Sequence, residues 1–208
     1  MLEKNVLGLY KDLPLTSRLY LQIRVRNYPR LMWPHLSDLR GNIVSLGVGY
    51  AFLEALVALR NPEAQIIGSD LNAERIVIAQ KALGSISNLS LEVVDLRKEF
   101  PAMSVDGFLL IDVLHHLRPE NQEAILKKAV GALPPNGWII IKECGTSPAW
   151  KKWFNYLNDA VGSPMQRTYP RGEDEWASLL RALGLKSVSV RLDSGAPYAH
   201  ILISGRKS

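Results

Sequence analysis

Three aspartates and two adjacent histidines occur where the sequence pattern predicts the ends of buried strands. Asp70, Asp95 and Asp112 each follow a short apolar run, and His115 and His116 come soon after the last of them. Carboxylates can accept hydrogen bonds from ligand hydroxyl and amino groups. A histidine, with an ordinary pKa of about 6.5, can take a proton near neutral pH. The pattern therefore predicts a ligand site at one edge of a sheet, with a group that can move a proton.

A glycine-rich turn, Gly47-Val48-Gly49, precedes the first of these aspartates. Two glycines separated by one residue let the backbone turn sharply and let a ligand approach without meeting a Cβ. Asp70 follows Gly47 by 23 residues, close to the offset of about 20 at which a carboxylate meets ribose hydroxyls. Phe52 replaces the third glycine of a dinucleotide fingerprint, and no Walker lysine follows the turn. These departures favour a ligand with a ribose and an adenine but no phosphate.

The elements that must position these residues alternate between short apolar strands and amphipathic helices. Strands are predicted over 43–46, 65–69, 91–94, 107–111, 138–141, 187–192 and 200–204, and helices over 17–27, about 30–39, 52–60, 73–83, 120–132 and 173–183. Parallel strands cannot be joined by tight hairpins, so this alternation indicates a sheet covered on both faces. The sequence predicts a doubly wound α/β fold with a mostly parallel seven-stranded sheet, helices on both faces and an antiparallel last strand.

The chain of 208 residues is long enough for one sizeable core and short for two. We expect an N-terminal helical cap over 1–40, packed on a main domain over 41–208 that has an inserted lid at about 144–172. No stretch approaches the ~18 apolar residues of a membrane span, and no secretory signal opens the sequence. A cytoplasmic protein is therefore expected. Cys144 is the only cysteine and the four histidines are not spaced like zinc ligands, so no metal is predicted.

The formal net charge is +5, and residues 1–40 contribute most of it, with seven Lys or Arg against three Asp or Glu. Such a segment suits nucleic acid, an anionic lipid surface, or a carboxylate or phosphate on a substrate. A solvated helix face is the simpler interpretation, because nucleic-acid footprints usually form a denser patch.

Residues 41–143 resemble the class I S-adenosylmethionine-dependent methyltransferases, motif by motif. The segment Ile43 to Gly49 looks like the first motif of that family, and Asp112 to Leu117 is similar to the segment after the fourth strand in many small-molecule methyltransferases. The resemblance implies S-adenosylmethionine as cofactor. It further implies that its methionine portion lies at Ser45, Gly47, Val48 and Gly49, its ribose at Asp70, and its adenine near Leu71, Asp95 and Leu96, with Asp112 also at the cofactor.

One residue departs from the family pattern, because Ser45 stands where these enzymes usually have an acid. This departure puts one contact near the amino group of the cofactor in doubt, although a serine hydroxyl can act through water. Methyl transfer from a sulfonium is an in-line displacement, in which the enzyme mainly supplies alignment and desolvation. If the acceptor is a hydroxyl or an amine, His115 or His116 is placed to act as the base; the alternative is that one of them faces the core or caps the next turn.

Aromatic and basic residues outside the motifs are candidates for acceptor binding. Trp150 and Trp153 belong to an apolar stripe at helical spacing, for which ordinary core packing is the simpler interpretation and an apolar lid the functional one. The candidate acceptor-binding residues are Tyr20, Arg24, Tyr28, Trp150, Trp153 and Tyr169. The composition favours a small or medium organic acceptor, held by apolar contacts with an arginine on its anionic end.

Three other functions remain open at this point. An RNA methyltransferase fits the basic pI of about 9.3, but no separate RNA-binding module is visible, and the family motif for amino methylation is absent after the fourth strand. A non-catalytic binding protein on the same fold is kept open by Ser45. A nicotinamide-dependent oxidoreductase is disfavoured by Phe52 and by the lack of a Tyr-x-x-x-Lys pair.

Overall fold

The computed structural model describes residues 2–27, 32–98, 104–145, 167–192 and 199–208. Within these ranges the strands are β1 (Gly41–Leu46), β2 (Ala64–Asp70), β3 (Leu89–Val93), β4 (Gly107–Ile111), β5 (Trp138–Cys144), β6 (Leu185–Leu192) and β7 (His200–Lys207). The helices are α1 (Leu2–Leu9), α2 (Leu15–Asn27), α3 (Trp33–Leu36), α4 (Phe52–Arg60), α5 (Ala73–Leu83), α6 (Pro119–Ala132) and α7 (Glu173–Ala182), and a 3₁₀ turn covers Leu114–His116. The chain divides into two compact units, Met1–Pro101 and Ala102–Ser208.

The first unit contains three parallel strands in the order β3-β2-β1. Gly41 pairs with Ala64 at the start of β1, and Ile66 pairs with Leu89 at the start of β3. The four residues that end β1 are all buried, as expected for a parallel strand covered on both faces. Helix α4 is buried over its first seven residues, and its packing holds the turn that joins it to β1.

The second unit contains the strands β4, β5, β7 and β6 in that order. β4 and β5 are parallel, whereas β7 is antiparallel to both β5 and β6. All five residues of β4 are buried. The predicted fold class, with seven strands in a mixed sheet and an antiparallel last strand, is therefore confirmed.

Several element boundaries agree with the sequence prediction, and the differences have physical causes. Helices α4 and α5 and strand β4 have the predicted bounds. Helix α1 was not predicted, because eight residues are too few to form a stable helix alone. Strand β5 was predicted to end at Ile141 but continues to Cys144, because Lys142 and Glu143 pair with Leu202 and Ile201 of the antiparallel neighbour β7.

Some of the predicted site residues fall outside the ranges that the structure describes. These are Tyr28, Trp150 and Trp153, together with most of the lid predicted over 144–172. Across the described ranges, every helix is too short or too polar to cross a bilayer.

Candidate functional site

The turn after β1 is built on left-handed backbone at Gly47 and Gly49. Their φ angles are 75° and 58°, values that glycine adopts without steric cost. The N–H groups of Gly47 and Val48 donate to the Ser69 carbonyl at 2.7 and 3.1 Å, which ties the turn to β2. A Cβ built on Gly49 would meet no atom within 4 Å. The turn therefore has open space beside its backbone, as binding of a ligand there requires.

Asp70, at the end of β2, is tied to this turn. One carboxylate oxygen accepts from the Gly49 N–H at 2.7 Å, and the other accepts from the Asn72 N–H at 2.8 Å. The cap of helix α5 is a different residue, because the Asn72 side chain accepts from the Arg75 N–H at 3.0 Å. Asp70 is therefore not needed as a helix cap, and its carboxylate lies directly beside the glycine turn.

The residues predicted to surround adenine lie after β2 and β3. Leu71 is 59% exposed, which is high for a large apolar side chain next to a buried strand. Asp95 accepts hydrogen bonds from Nε and Nη2 of Arg97, both at 2.8 Å, and Leu96 is half-buried. The Arg97 hydrogen bonds lower the pKa of Asp95 to about 2. A ligand amino group at Asp95 thus has to share the carboxylate with Arg97.

Ser45, the departure from the family pattern, forms a buried hydrogen bond with a carboxyl group. Its hydroxyl donates to Oε1 of Glu54 at 2.7 Å, and the two residues are 1% and 3% exposed. Glu54 lies in the first turn of α4, among apolar residues that are also buried. Burial raises the pKa of Glu54 to about 7, against the opposing effects of the Ser45 hydrogen bond and of Arg24.

Helix α2 and the residue that follows α1 contact Tyr50, the residue after the glycine turn. The Tyr10 hydroxyl donates to the Tyr50 carbonyl, and the Tyr50 hydroxyl donates to Ser17 of α2 at 3.2 Å. The rings of Tyr20 and Tyr50 are 6.2 Å apart, and Arg24 donates to the Tyr20 hydroxyl at 2.9 Å. Two residues predicted to bind the acceptor, Tyr20 and Arg24, are therefore joined to each other and lie beside the glycine turn.

The second unit contains a buried ion pair at the end of β4. The Lys142 ammonium donates to Oδ1 of Asp112 at 2.6 Å, and the two side chains are 3% and 15% exposed. Asp112 has a left-handed φ of 54°, a conformation that Asp tolerates better than most residues. Its carboxylate, predicted to be at the cofactor, thus has a charged partner from β5.

His115 and Glu143 form a second buried pair in this unit. The Nδ1 atom of His115 contacts Oε2 of Glu143, and the two side chains are 2% and 1% exposed. The other oxygen of Glu143 accepts from the N–H groups of Val113 and Leu114 at 3.0 and 2.7 Å. A carboxylate at Nδ1 fixes the orientation of the ring and directs Nε2 as the nitrogen that can accept a proton.

His116 differs from its neighbour in exposure. Its side chain is half-buried, and its ring centroid lies 4.0 Å from that of His115. The expectation that one of the two histidines faces the interior is met by His115. The role of either histidine as the catalytic base remains a prediction.

Tyr169, predicted to bind the acceptor, is held by its backbone beside these histidines. Its N–H donates to the His115 carbonyl at 2.7 Å, and its own carbonyl accepts from the Gln122 amide at 2.9 Å. The same amide donates to the Leu114 carbonyl at 3.0 Å, and Arg171 donates to the Gln122 oxygen at 2.7 Å. The buried Gln122 therefore joins the 3₁₀ turn to the segment before α7.

Three groups in the second unit present atoms that can ligate a metal. Single atoms of Asp112, His115 and Cys144 all lie within 4.8 Å of one another. The Lys142 ammonium already places a positive charge on Asp112, and a second cation there would be repelled. The absence of a metal stays a prediction.

Sequence reasoning missed the partners of the residues that it selected. Glu54 is a polar residue within an otherwise apolar run, and burial of such a residue usually requires a partner. That signal could have identified Glu54, because it falls at a position that the predicted fold buries. Lys142 and Glu143 follow the predicted end of β5, so they gave no such signal. Tyr10 and Tyr50 gave no comparable signal.

Part of the chain is similar in sequence to known proteins. Residues 44–139 match the family model described as "Methyltransferase domain". Over 93 residues, 44% of the chain, the sequence is 32% identical to the carboxy-S-adenosyl-L-methionine synthase of Helicobacter pylori (strain HPAG1), and the match covers 38% of that protein.

Solved structures of low sequence identity have the same fold. The S-adenosylmethionine-dependent methyltransferase SibL matches 92% of this chain and 57% of its own with a TM-score of 0.74 at 18% identity. The magnesium protoporphyrin IX methyltransferase ChlM of Synechocystis PCC 6803 matches 97% of this chain and 92% of its own with a TM-score of 0.66, also at 18% identity. The chain thus spans only 38% of the Helicobacter relative and 57% of SibL. Residues 44–139 are thus similar to a methyltransferase domain, and the fold of the chain is that of solved S-adenosylmethionine-dependent methyltransferases.

Proposed function

We propose that the chain transfers a methyl group from S-adenosylmethionine to a hydroxyl or amine of a small or medium, lipophilic organic acceptor. The observation that carries this proposal is the hydrogen bond that the Gly49 N–H donates to the Asp70 carboxylate. It places a carboxylate beside a glycine turn that has open space at its backbone. Hydroxyl pairs of a ribose suit such a carboxylate, because each of its oxygens can accept more than one hydrogen bond.

When bound, S-adenosylmethionine would supply a methyl group on a sulfonium centre, with the acceptor atom bonding to the methyl carbon in line with the departing sulfur. The residues of the first unit bind and orient this donor. Asp70 accepts from the ribose hydroxyls, and the backbone at Gly47 and Gly49 leaves room for the methionine portion. Leu71, which is 59% exposed, covers one face of the adenine. These roles require no nucleophile from the protein.

The proton of the acceptor is assigned to His115. When the acceptor oxygen or nitrogen bonds to the methyl carbon, the carbon–sulfur electron pair returns to sulfur and the acceptor proton has to leave. Nε2 of His115 takes it, and Glu143 at Nδ1 stabilises the imidazolium that forms. General-base catalysis of this kind typically contributes about a hundredfold or more.

The exposed residues of helix α2 favour the proposal that the acceptor is lipophilic. Leu19 and Ile23 are 54% and 39% exposed and lie one helical turn apart, on the helix that also carries Tyr20 and Arg24. An apolar stripe with an arginine beside it fits an acceptor that has an apolar body and an anionic end. The structural neighbour ChlM is a magnesium protoporphyrin IX methyltransferase, which is compatible with an organic acceptor for this chain.

We expect Asp70→Ala to weaken binding of S-adenosylhomocysteine roughly 10- to 100-fold, because hydrogen bonds to a charged acceptor are lost. Calorimetric titration of the purified chain measures this effect, with NADH as the comparison ligand. Glu74→Ala, in the exposed first turn of α5, is the matched control and should leave the affinity unchanged. Tight binding of NADH, or equal affinities of the wild type and Asp70→Ala, would contradict the proposal.

We expect His115→Ala and Glu143→Gln to lower kcat about a hundredfold with unchanged affinity for S-adenosylhomocysteine. His116→Ala should have a smaller effect, because Glu143 orients the ring of His115 and stabilises its charged form. The assay measures S-adenosylhomocysteine release on a panel of aromatic and acyl acids, and mass spectrometry of the product identifies the added group. A loss confined to His116→Ala would move the base to that residue, and turnover on RNA alone would reject the small-molecule acceptor.

A further inference from the structure

A buried acid lies close to the glycine turn. The Ser45 hydroxyl, two residues before Gly47, donates to Oε1 of Glu54 at 2.7 Å. Asp70, which accepts from the Gly49 N–H, is among the charged neighbours of Glu54. Glu54 belongs to the first turn of α4, the helix that begins three residues after Gly49. The Glu54 carboxyl is therefore held between β1 and α4, the two elements that the glycine turn joins.

The surroundings of Glu54 are costly for a carboxylate. The other residues from Phe52 to Ala58 are apolar and buried, and Glu54 itself is 3% exposed. Among charged neighbours, Arg24 favours the ionised form and Asp70 opposes it. Hydrogen bonds from the Ser45 hydroxyl and from the Glu54 backbone do not offset the desolvation of a full charge. A bound cation would offset this desolvation, because it places an opposite charge close to the carboxylate.

We propose that Glu54 binds the α-ammonium group of the methionine portion of S-adenosylmethionine, with Ser45 holding the carboxyl in position. This inference rests on the proposed function, since it assigns that portion to the turn at Gly47 and Gly49. The chain then has the acid that position 45 lacks, on the adjacent helix instead of on the strand. A carboxylate accepts N–H donors on both oxygens, so one oxygen can bind the ammonium group while the other keeps the Ser45 hydroxyl.

The test compares two ligands that differ in the group that Glu54 would bind. S-adenosylhomocysteine has the α-ammonium, whereas 5′-methylthioadenosine has the same adenosine and sulfur but no amino-acid portion. Calorimetric titration of Glu54→Gln should show a roughly 10- to 100-fold loss of affinity for S-adenosylhomocysteine, because a charge-assisted hydrogen bond becomes a neutral one. Affinity for 5′-methylthioadenosine should stay unchanged.

Two further variants separate ligand binding from structural support. Glu63→Gln removes an exposed carboxylate of the same unit and should change neither affinity. The exchange Ser45→Glu with Glu54→Ser reverses the same hydrogen bond, and it should recover most of the affinity for S-adenosylhomocysteine that Glu54→Ser alone loses. Retained binding of 5′-methylthioadenosine shows that each variant is folded at the site.

The outcomes distinguish this inference from the proposed function. If the wild type binds neither ligand, the proposed function fails. If the wild type binds S-adenosylhomocysteine and Glu54→Gln binds it equally well, only the role of Glu54 is overturned. Equal losses for both ligands would also overturn it, because they would show that Glu54 supports the shape of the site and does not contact the ammonium group.

Discussion

Lys142→Met should lower the free energy of unfolding by roughly 3 kcal/mol, one of the largest effects expected of any single substitution in this chain. The Lys142 ammonium is 3% exposed and lies 2.6 Å from Asp112 Oδ1. The substitution removes the counter-charge that Lys142 gives to the Asp112 carboxylate, which is itself only 15% exposed. The cost of breaking a buried ion pair lies mainly in the charged partner that remains.

Chemical denaturation of four proteins measures this effect: the wild type, Lys142→Met, Asp112→Asn and the double variant. The double variant should be more stable than the sum of the single effects predicts, by about 2 kcal/mol, because it removes both charges of the pair together. Asparagine tolerates the left-handed φ of 54° at position 112, so Asp112→Asn adds little backbone strain. Lys127→Met, at an exposed position of α6, should change stability by no more than about 0.5 kcal/mol. Additive single effects would contradict this interpretation of the pair.

Glu54→Gln should make the protein more stable than the wild type above neutral pH and no more stable in acid. Burial raises the folded-state pKa of Glu54 from 4.5 to about 7. Between these two values the unfolded chain has lost the proton and the folded chain has kept it, so the free energy of unfolding falls as the pH rises. Below about pH 4.5 both states are protonated and the penalty vanishes. Above about pH 7 it reaches its full size, about 3 kcal/mol.

The measurement is the difference in unfolding free energy between Glu54→Gln and the wild type at several pH values from 4 to 8. The difference should grow with pH in favour of glutamine and level off near pH 7. Every other titrating group, including the neighbouring Asp70, is common to both proteins and largely cancels in the difference. A flat difference would show that Glu54 ionises as easily in the folded chain as in water. Together with the ligand test, a rising difference would mean that this carboxyl lowers stability in return for a binding role.

The sequence predicted the helices and strands that surround the site better than it predicted the hydrogen-bond partners of the site residues. Apolar runs with turn residues between them located α4, α5 and β4 to the residue, because burial of both sheet faces imposes that pattern. The glycine turn and Asp70 followed from spacing alone. The hydrogen bond between Asp70 and Gly49 could not be predicted, since it depends on how the turn and the end of β2 are oriented.

The polar pairs were missed because each joins residues of different elements, whose packing the sequence pattern does not specify. The charged residues Lys142 and Glu143 suggested that β5 ends before them. Both instead pair with residues of β7, so β5 continues to Cys144 and both side chains are buried. Ser45 and Glu54 lie in different elements, and each was interpreted without the other. Only the packing of α4 on β1 brings the hydroxyl and the carboxyl together. A sequence motif considers position 45 by itself, so it indicates that an acid is missing there and not that Glu54 lies beside it.

The anchoring of the N-terminal helices at Tyr50 also bears on the order in which the chain folds. Helix α1 has eight residues, too few to be helical in isolation, and its buried contacts are with residues synthesised much later. Tyr10 packs on Phe52 with ring centroids 6.4 Å apart and donates to the Tyr50 carbonyl. Helix α1 is therefore among the elements that become structured only after the glycine turn and α4 have formed.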